Sequence, residues 1–281
     1  MTLGEVLRRA DAHLAARGST TPRLDAELLL AHALGRSRIE LYMDLDRPLN
    51  GDELAQYREL VARRSRHEPV AYILGEWGFR RLTLKVDRRA LIPRPETEMV
   101  VERCLARLRG LDAPAVLDVG TGSGAIALAL ADEHEGARIR AIDVSAEAVA
   151  LARENAARAG AELELEEHDL REGLPGGPYD LVVSNPPYVA AEELAQLMPD
   201  VRDWEPHVAL VGEGVTEAVA AEARAVLRPG GWLVLEVGDG QAPGAAAALS
   251  ALGYRDVLVT PDLARRERVV EARWDGSNGV R

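Results

Sequence analysis

The sequence predicts a seven-stranded, doubly wound α/β sheet preceded by a small helical bundle. Three observations carry this. Strand-like apolar runs alternate with helical patterns from residue 113 onward, which implies a mostly parallel sheet covered on both faces. Residues 3–74 show helical periodicity without strand alternation. A glycine-rich turn, Asp118-Val119-Gly120-Thr121-Gly122-Ser123-Gly124, stands where the first strand runs into a helix.

In the N-terminal part, Leu3, Val6, Leu7, Ala10 and Leu14 share one helical face. Thr21-Pro22 reads as a cap and a first-turn proline, opening a helix that Gly35 ends. A third helix fits 51–66, with Leu54, Tyr57, Leu60 and Val61 turned inward. Residues 1–77 are read as a helical substrate-recognition domain and 78–95 as a connector, a β-hairpin in which Leu82, Leu84 and Val86 alternate with polar residues. Residues 96–281 form the α/β domain. Its strands are expected at 115–119, 138–142, 162–167, 179–184, 231–237, 254–260 and 267–273, and its helices at 124–133, 145–159, 214–227 and 241–252. A short loop joins the last two strands, so they should be antiparallel. That arrangement is the class I methyltransferase (Rossmann-like) variant of the doubly wound fold. The polar tail, Asp275 to Arg281, is expected to fray.

Composition narrows the function. The 281 residues are 47% hydrophobic and 28% charged, enough for a sizeable core. No apolar run approaches the roughly 20 residues that span a bilayer, and no signal pattern opens the chain, so a cytoplasmic protein without a membrane partner is expected. The one cysteine, Cys104, cannot form an internal disulfide and reads as a buried thiol. Net charge is −12, which argues against a large nucleic-acid footprint. The six histidines show no ligand spacing and there is no cysteine pair, so no metal is expected. His168 reads as a surface residue, and Glu236 as a strand-end carboxylate pairing with loop N–H groups.

Gly120, Gly122 and Gly124 let backbone N–H groups approach a ligand. Thr121 and Ser123 lie in the same turn. Asp143 ends the second strand, where a carboxylate can accept both hydrogen bonds of a ribose diol. The pair indicates a nucleoside cofactor without saying which; the turn also satisfies the looser dinucleotide pattern. Asp169 and Leu170 follow the third strand. There a carboxylate can accept from an adenine amino group and an apolar side chain can cover the ring, although Asp169 fits equally as a cap of the next turn.

Asn185-Pro186-Pro187-Tyr188 follows the buried run Leu181-Val182-Val183-Ser184. Carboxyl ends of central strands are where doubly wound sheets bind substrates. The Asn185 side-chain oxygen and the Pro186 carbonyl can each accept one N–H of a planar –NH2 group. Pro187 restricts Pro186 to an extended backbone, and Tyr188 can lie on the planar group. Asn185 and Pro186 are thus the candidate catalytic residues, and all four are candidate substrate contacts. Transfer from a methyl sulfonium such as S-adenosylmethionine to nitrogen asks mainly for positioning, and the target is either an adenine or an amide.

Ile92-Pro93-Arg94-Pro95-Glu96-Thr97-Glu98, the glycine turn, Asn185–Tyr188, Trp204-Glu205-Pro206-His207, Pro229-Gly230-Gly231 and Leu235-Glu236 occur in that order. In this the chain resembles the peptide chain release factor N5-glutamine methyltransferases. The resemblance implies an enzyme whose substrate is the glutamine of the Gly-Gly-Gln loop in class I release factors; a monomer is expected. It implies S-adenosylmethionine at Gly120–Gly124, Asp143 and Leu170, with S-adenosylhomocysteine as product, and Arg94 and Pro95 closing over the cofactor. It implies Asn185 at the junction and Pro186, Pro187 and Tyr188 around the glutamine. Position 170 is often a large aromatic in relatives, 211–215 looks short, and Arg265 stands where a glycine is common. A ribosomal-protein glutamine and adenine N6 are the alternative targets. A noncatalytic nucleoside-binding protein and a nicotinamide oxidoreductase are readings of another class.

Overall fold

A computed structural model describes residues 1–262 and 264–276. The expected fraying of the tail therefore lies outside the described residues from Ser277 onward. The chain forms two compact units, Met1–Glu76 with Met198–Trp204, and Trp77–Leu197 with Glu205–Arg281.

The first unit is helical. Helix α1 (Leu3–Ala16) starts with a capping box between Thr2 and Glu5, and buries the five apolar residues of its expected face. Helix α2 (Pro22–Leu34) ends at Gly35, which takes a left-handed conformation. Its start differs from expectation: the Thr21 side chain does not cap the helix. Its hydroxyl donates instead to Asp25, which also receives Ser19 and Arg64. Satisfying that buried carboxylate takes precedence over the cap. Two short helices escaped the periodicity, α3 (Arg38–Met43) and α5 (Val70–Leu74). Helix α4 (Gly51–Arg64) is capped by Asn50 and Glu53, and buries Tyr57 and Leu60. Leu54 and Val61 are only half-buried; Arg64 turns inward beside them, 2.7 Å from Asp25.

In the second unit, β1 (Glu76–Phe79) and β2 (Leu82–Lys85) pair in a separate two-stranded sheet. Helix α6 (Thr97–Leu108) follows. Seven strands then build one sheet: β3 (Ala115–Val119), β4 (Arg138–Asp143), β5 (Glu164–Glu167), β6 (Tyr179–Ser184), β7 (Leu227–Glu236), β8 (Arg255–Pro261) and β9 (Glu267–Arg273). Their order is β5-β4-β3-β6-β7-β9-β8. The first five are parallel, and β9 runs antiparallel between β7 and β8. Helices α7 (Ala125–Glu133), α8 (Ala146–Ala159), α10 (Val215–Val226) and α11 (Ala242–Ala251) are the crossovers; the four-residue α9 (Pro199–Arg202) belongs to the first unit.

Two apolar clusters cover the sheet. One joins α6 and α7 to one face through Val100, Val101, Leu128 and Leu130. The other joins α10 and α11 to the opposite face through Val219, Ala223 and Leu249. Cys104 is buried in the first cluster, where desolvation pushes its thiol well above the ordinary range. In the middle of β9, Glu271 is fully buried and receives four N–H donors from Arg103 and Arg107 of α6. Arg107 also lies 3.8 Å from the centre of the Trp232 ring. Between β8 and β9, Arg265 has φ of 63°. That left-handed conformation is the physical reason a glycine suits the position.

The strand order reverses between β3 and β6, which diverge in their connections to opposite sides. Ligands of open α/β sheets lie outside the carboxyl ends of the strands at such a switch point.

Candidate active site

The carboxyl ends of β3, β4 and β6 open into a cavity of about 590 Å³, within the range of roughly 300–1,000 Å³ usual for small-molecule sites. Gly120, Thr121, Gly122, Ser123, Asp143, Asp169, Leu170, Asn185, Pro186 and Pro187 all line it. Gly124 and Tyr188 do not. A Cβ on Gly124 would stand 3.2–3.3 Å from Leu128 and Ala152, so this glycine serves the approach of α8 to α7.

The turn after β3 is held by hydrogen bonds from Gly120 and Thr121 N–H to the Ile142 carbonyl. Gly120 and Gly122 have φ of 75° and 57°, and nothing lies within 4 Å of a Cβ built on Gly120. Against the expectation from sequence, the N–H groups of Gly120, Gly122 and Gly124 are spent on Ile142, Asp143 and Thr121, so the missing side chains of Gly120 and Gly122 contribute room at the cavity and not donors. Beneath the turn, Asp118 is completely buried and accepts from the Thr121 hydroxyl at 2.7 Å. Burial pushes its carboxyl up to about 7.

Asp143 accepts from Gly122 N–H at 2.8 Å and from Ser145 N–H at 2.9 Å, one bond to each oxygen. Each oxygen keeps a further lone pair. Desolvation raises its carboxyl above the usual carboxylate range, against those backbone bonds. At the end of β5, Asp169 does cap its turn: it accepts from Arg171 N–H and pairs with the Arg171 guanidinium. These hydrogen bonds hold its carboxyl down to about 2. His168 lines the cavity with its ring Nε2 2.6 Å from the Gly173 carbonyl.

Asn185 follows β6, whose last residue, Ser184, donates to the Val119 carbonyl across the switch point. Pro187 is gripped from outside. A Cβ on Gly212 would meet Pro187 Cγ and its carbonyl oxygen at 2.5 Å, so only glycine permits this contact. Val189 N–H donates to Leu210, and Gly212 N–H to Val189. Tyr188 turns away from the cavity and packs against Gly238, with its carbonyl accepting from Gln241 Nε2 at 2.9 Å. Burial pushes its phenol up to about 12.

Two features escaped the sequence. Asn185 Nδ2 lies 3.3 Å from the Thr97 hydroxyl, and Thr97 donates to Glu236 at 2.7 Å. Glu236 therefore pairs with a hydroxyl of α6, not with loop N–H groups as the sequence suggested; Thr97, the first residue of α6, reaches it before any loop does. The second is Glu205, which is buried and accepts from Arg94 at 2.5 Å and from Ile92 N–H at 3.4 Å. It thereby fixes the segment 89–94 that walls the cavity. Neither contact leaves a local pattern, because the partners are 139 and 111 residues apart.

The site fits a nucleoside. Glycines that leave room beside the turn, a carboxylate with free lone pairs and the apolar Leu170, Ile142 and Val144 surround one cavity. Among the described residues no His, Cys, Asp or Glu cluster is arranged to hold a metal ion, and no helix is long and apolar enough to cross a membrane.

Comparison with known proteins agrees with this architecture. Residues 5–75 match the PrmC N-terminal domain, and residues 97–200 match the methyltransferase small domain. The crystal structure of a methyltransferase from Pyrococcus furiosus superposes with a TM-score of 0.52 at 20% identity, over 68% of this chain and 87% of that one; it shares the fold. The release factor glutamine methyltransferase of Geobacter sulfurreducens is 43% identical over 97% of this chain and 96% of its own. That of Deinococcus radiodurans is 42% identical over 98% and 100%. Similarity of this degree over both units assigns the chain: it belongs to the release factor glutamine methyltransferase family.

Proposed function

We propose that this enzyme transfers a methyl group from S-adenosylmethionine to the side-chain amide nitrogen of the glutamine in the Gly-Gly-Gln loop of class I release factors. The observation that carries the reading is that Asn185 and Pro186 line the same cavity as the glycine turn and Asp143. An acceptor pair for –NH2 thus stands beside a nucleoside site.

When bound, the sulfonium cofactor supplies an electrophilic methyl group. The turn Gly120–Ser123 and Asp143 would hold it, the glycines by leaving room for its close approach and Asp143 through the free lone pairs of its carboxylate. Leu170 and Asp169 would border its base. Because Asp169 is already engaged by Arg171, apolar cover contributes more there than hydrogen bonding.

An amide nitrogen is a weak nucleophile, since its lone pair is delocalised into the carbonyl. The residues compensate by positioning. Asn185 Oδ1 accepts one N–H and the Pro186 carbonyl the other. The nitrogen would then be held still where the transferable methyl group is presented. The same acceptors draw off the positive charge that builds on nitrogen, and the departing proton leaves through them to water. Pro187, held by Gly212, keeps the Pro186 carbonyl aimed. Tyr188 supports this loop from behind.

The helical unit, 1–77, serves to recognise the folded release factor. Its exposed Ile39 and Met43, 75% and 81% accessible, offer apolar contact. The enzyme acts as a monomer in the cytoplasm, without direct nucleic-acid contact. The test is to incubate enzyme, labelled cofactor and release factor, then map the label. Label on the Gly-Gly-Gln glutamine is expected. Transfer that survives replacement of that glutamine sinks the substrate assignment.

A further inference from the structure

The Asn185 carboxamide has two ends of nearly equal size and opposite chemistry. Only its oxygen can accept from a substrate –NH2. Which end faces the cavity is decided by what the other end touches. Asn185 Nδ2 lies 3.3 Å from Thr97 Oγ1. The Thr97 hydroxyl has one proton, and it is donated to Glu236 Oε2 at 2.7 Å. While Glu236 is ionised, Thr97 can therefore only accept toward Asn185.

We propose that Thr97 and Glu236 are positioning residues that set the polarity of the Asn185 amide, turning its oxygen toward the substrate nitrogen. The inference rests on the reading of Asn185 as acceptor for the substrate –NH2. Without the carboxylate, the Thr97 hydroxyl is free to donate to Asn185 Oδ1. The amide then turns over and presents its own N–H groups to those of the substrate. Two donors face each other, and the acceptor is lost.

The arrangement explains an otherwise costly group. Glu236 is 2% exposed and Thr97 4% exposed. Burial pushes the Glu236 carboxyl up to about 7; Glu96 raises it further through space, while Thr97, Arg268 and Arg94 lower it. A neutral glutamine of the same shape removes the buried charge, but it also brings an N–H2 that can donate to Thr97. That would release the Thr97 proton toward Asn185. Only an ionised carboxylate at 236, an obligate acceptor, excludes the wrong polarity, so the arrangement acts while Glu236 is ionised.

Methyl transfer to the release factor by the full-length enzyme tests this. Thr97→Val keeps the shape and removes the hydroxyl; it and Glu236→Gln are expected to lower kcat by about tenfold or more. The KM for S-adenosylmethionine should stay within about threefold, and Thr97→Ser should keep kcat within about threefold of wild type. Glu236→Gln should also raise the melting temperature, so that activity and stability move in opposite directions, which a purely structural role does not produce. Wild-type kcat in Thr97→Val or Glu236→Gln overturns the proposal, as does a loss matched by falling stability and weaker cofactor binding. Should Thr97→Val not fold, Glu236→Gln and Thr97→Ser decide alone. A neutron structure of the wild-type enzyme reads the polarity without turnover. Deuterium on the Asn185 nitrogen facing Thr97, and on Thr97 facing Glu236, supports the proposal, and the reverse order overturns it. That readout stands even if the release factor is not the substrate.

Discussion

Glu271 in the middle of β9 and Glu236 at the end of β7 are both withdrawn from water, at 0% and 2% exposure. They are treated in opposite ways. Glu271 receives four guanidinium N–H donors, which hold its carboxyl below the usual range despite its burial. Glu236 receives the Thr97 hydroxyl, and its carboxyl rises to about 7. The first is a fully paired buried ion whose partners tie α6 to the sheet. The second is an under-compensated ion beside the cavity. Within one sheet, the middle is satisfied for stability, whereas the carboxyl end keeps an under-compensated carboxyl that reaches the cavity only through Thr97.

The comparison breaks most visibly at Glu271. Glu271→Ala strands two guanidinium groups against the sheet and should cost about 3–5 kcal/mol in urea unfolding. Activity per folded molecule should hardly change; a catalytic defect without a stability loss would erase the contrast. Glu236→Gln should act with the opposite sign. The folded pKa of Glu236 is raised, so its stabilisation relative to the unfolded chain is present below the ordinary value near 4.5 and is lost as pH rises through about 7. The stability advantage of the glutamine variant should therefore be small at low pH and grow toward about 3 kcal/mol above neutrality. A constant difference across that window would mean that the carboxyl is not perturbed. The smallest effect is expected at Gly212. A methyl group there must displace Pro187, whose carbonyl oxygen it would meet at 2.5 Å. Gly212→Ala should lower kcat by about tenfold, close to 1.4 kcal/mol, and cost about 1 kcal/mol of stability.

Much of the fold was legible because its signals are local. The buried runs 115–119, 179–184 and 267–273 became strands with the same limits. Strand β7 begins at Leu227, ahead of the expected 231, because Pro229-Gly230-Gly231 forms an irregularity inside the strand and not a turn before it. Thr21 has the residue type of a cap, but Asp25 takes its proton. In the site, the glycine turn and Asn185–Tyr188 are contiguous and could be read directly, whereas the side Tyr188 faces could not. No local signal marks Gly238 as the residue that receives its ring. Asp169 left two readings open, and its pairing with Arg171 favours the cap. Thr97 and Glu236 stayed hidden because a hydroxyl and a carboxylate 139 residues apart share no pattern until the sheet brings them together.

That separation has a consequence for how the enzyme comes into being. The hydrogen bonds that meet at Thr97 span 88 and 139 residues, and contacts of such long range form only after the entropy of closing the intervening loops has been overcome. A chain that has built its central strands but not yet seated the start of α6 has a cofactor cleft in outline and an Asn185 free to point either way. On this view catalytic competence is among the last properties acquired during folding, and turnover reports the arrival of the final tertiary contacts more faithfully than secondary-structure content does.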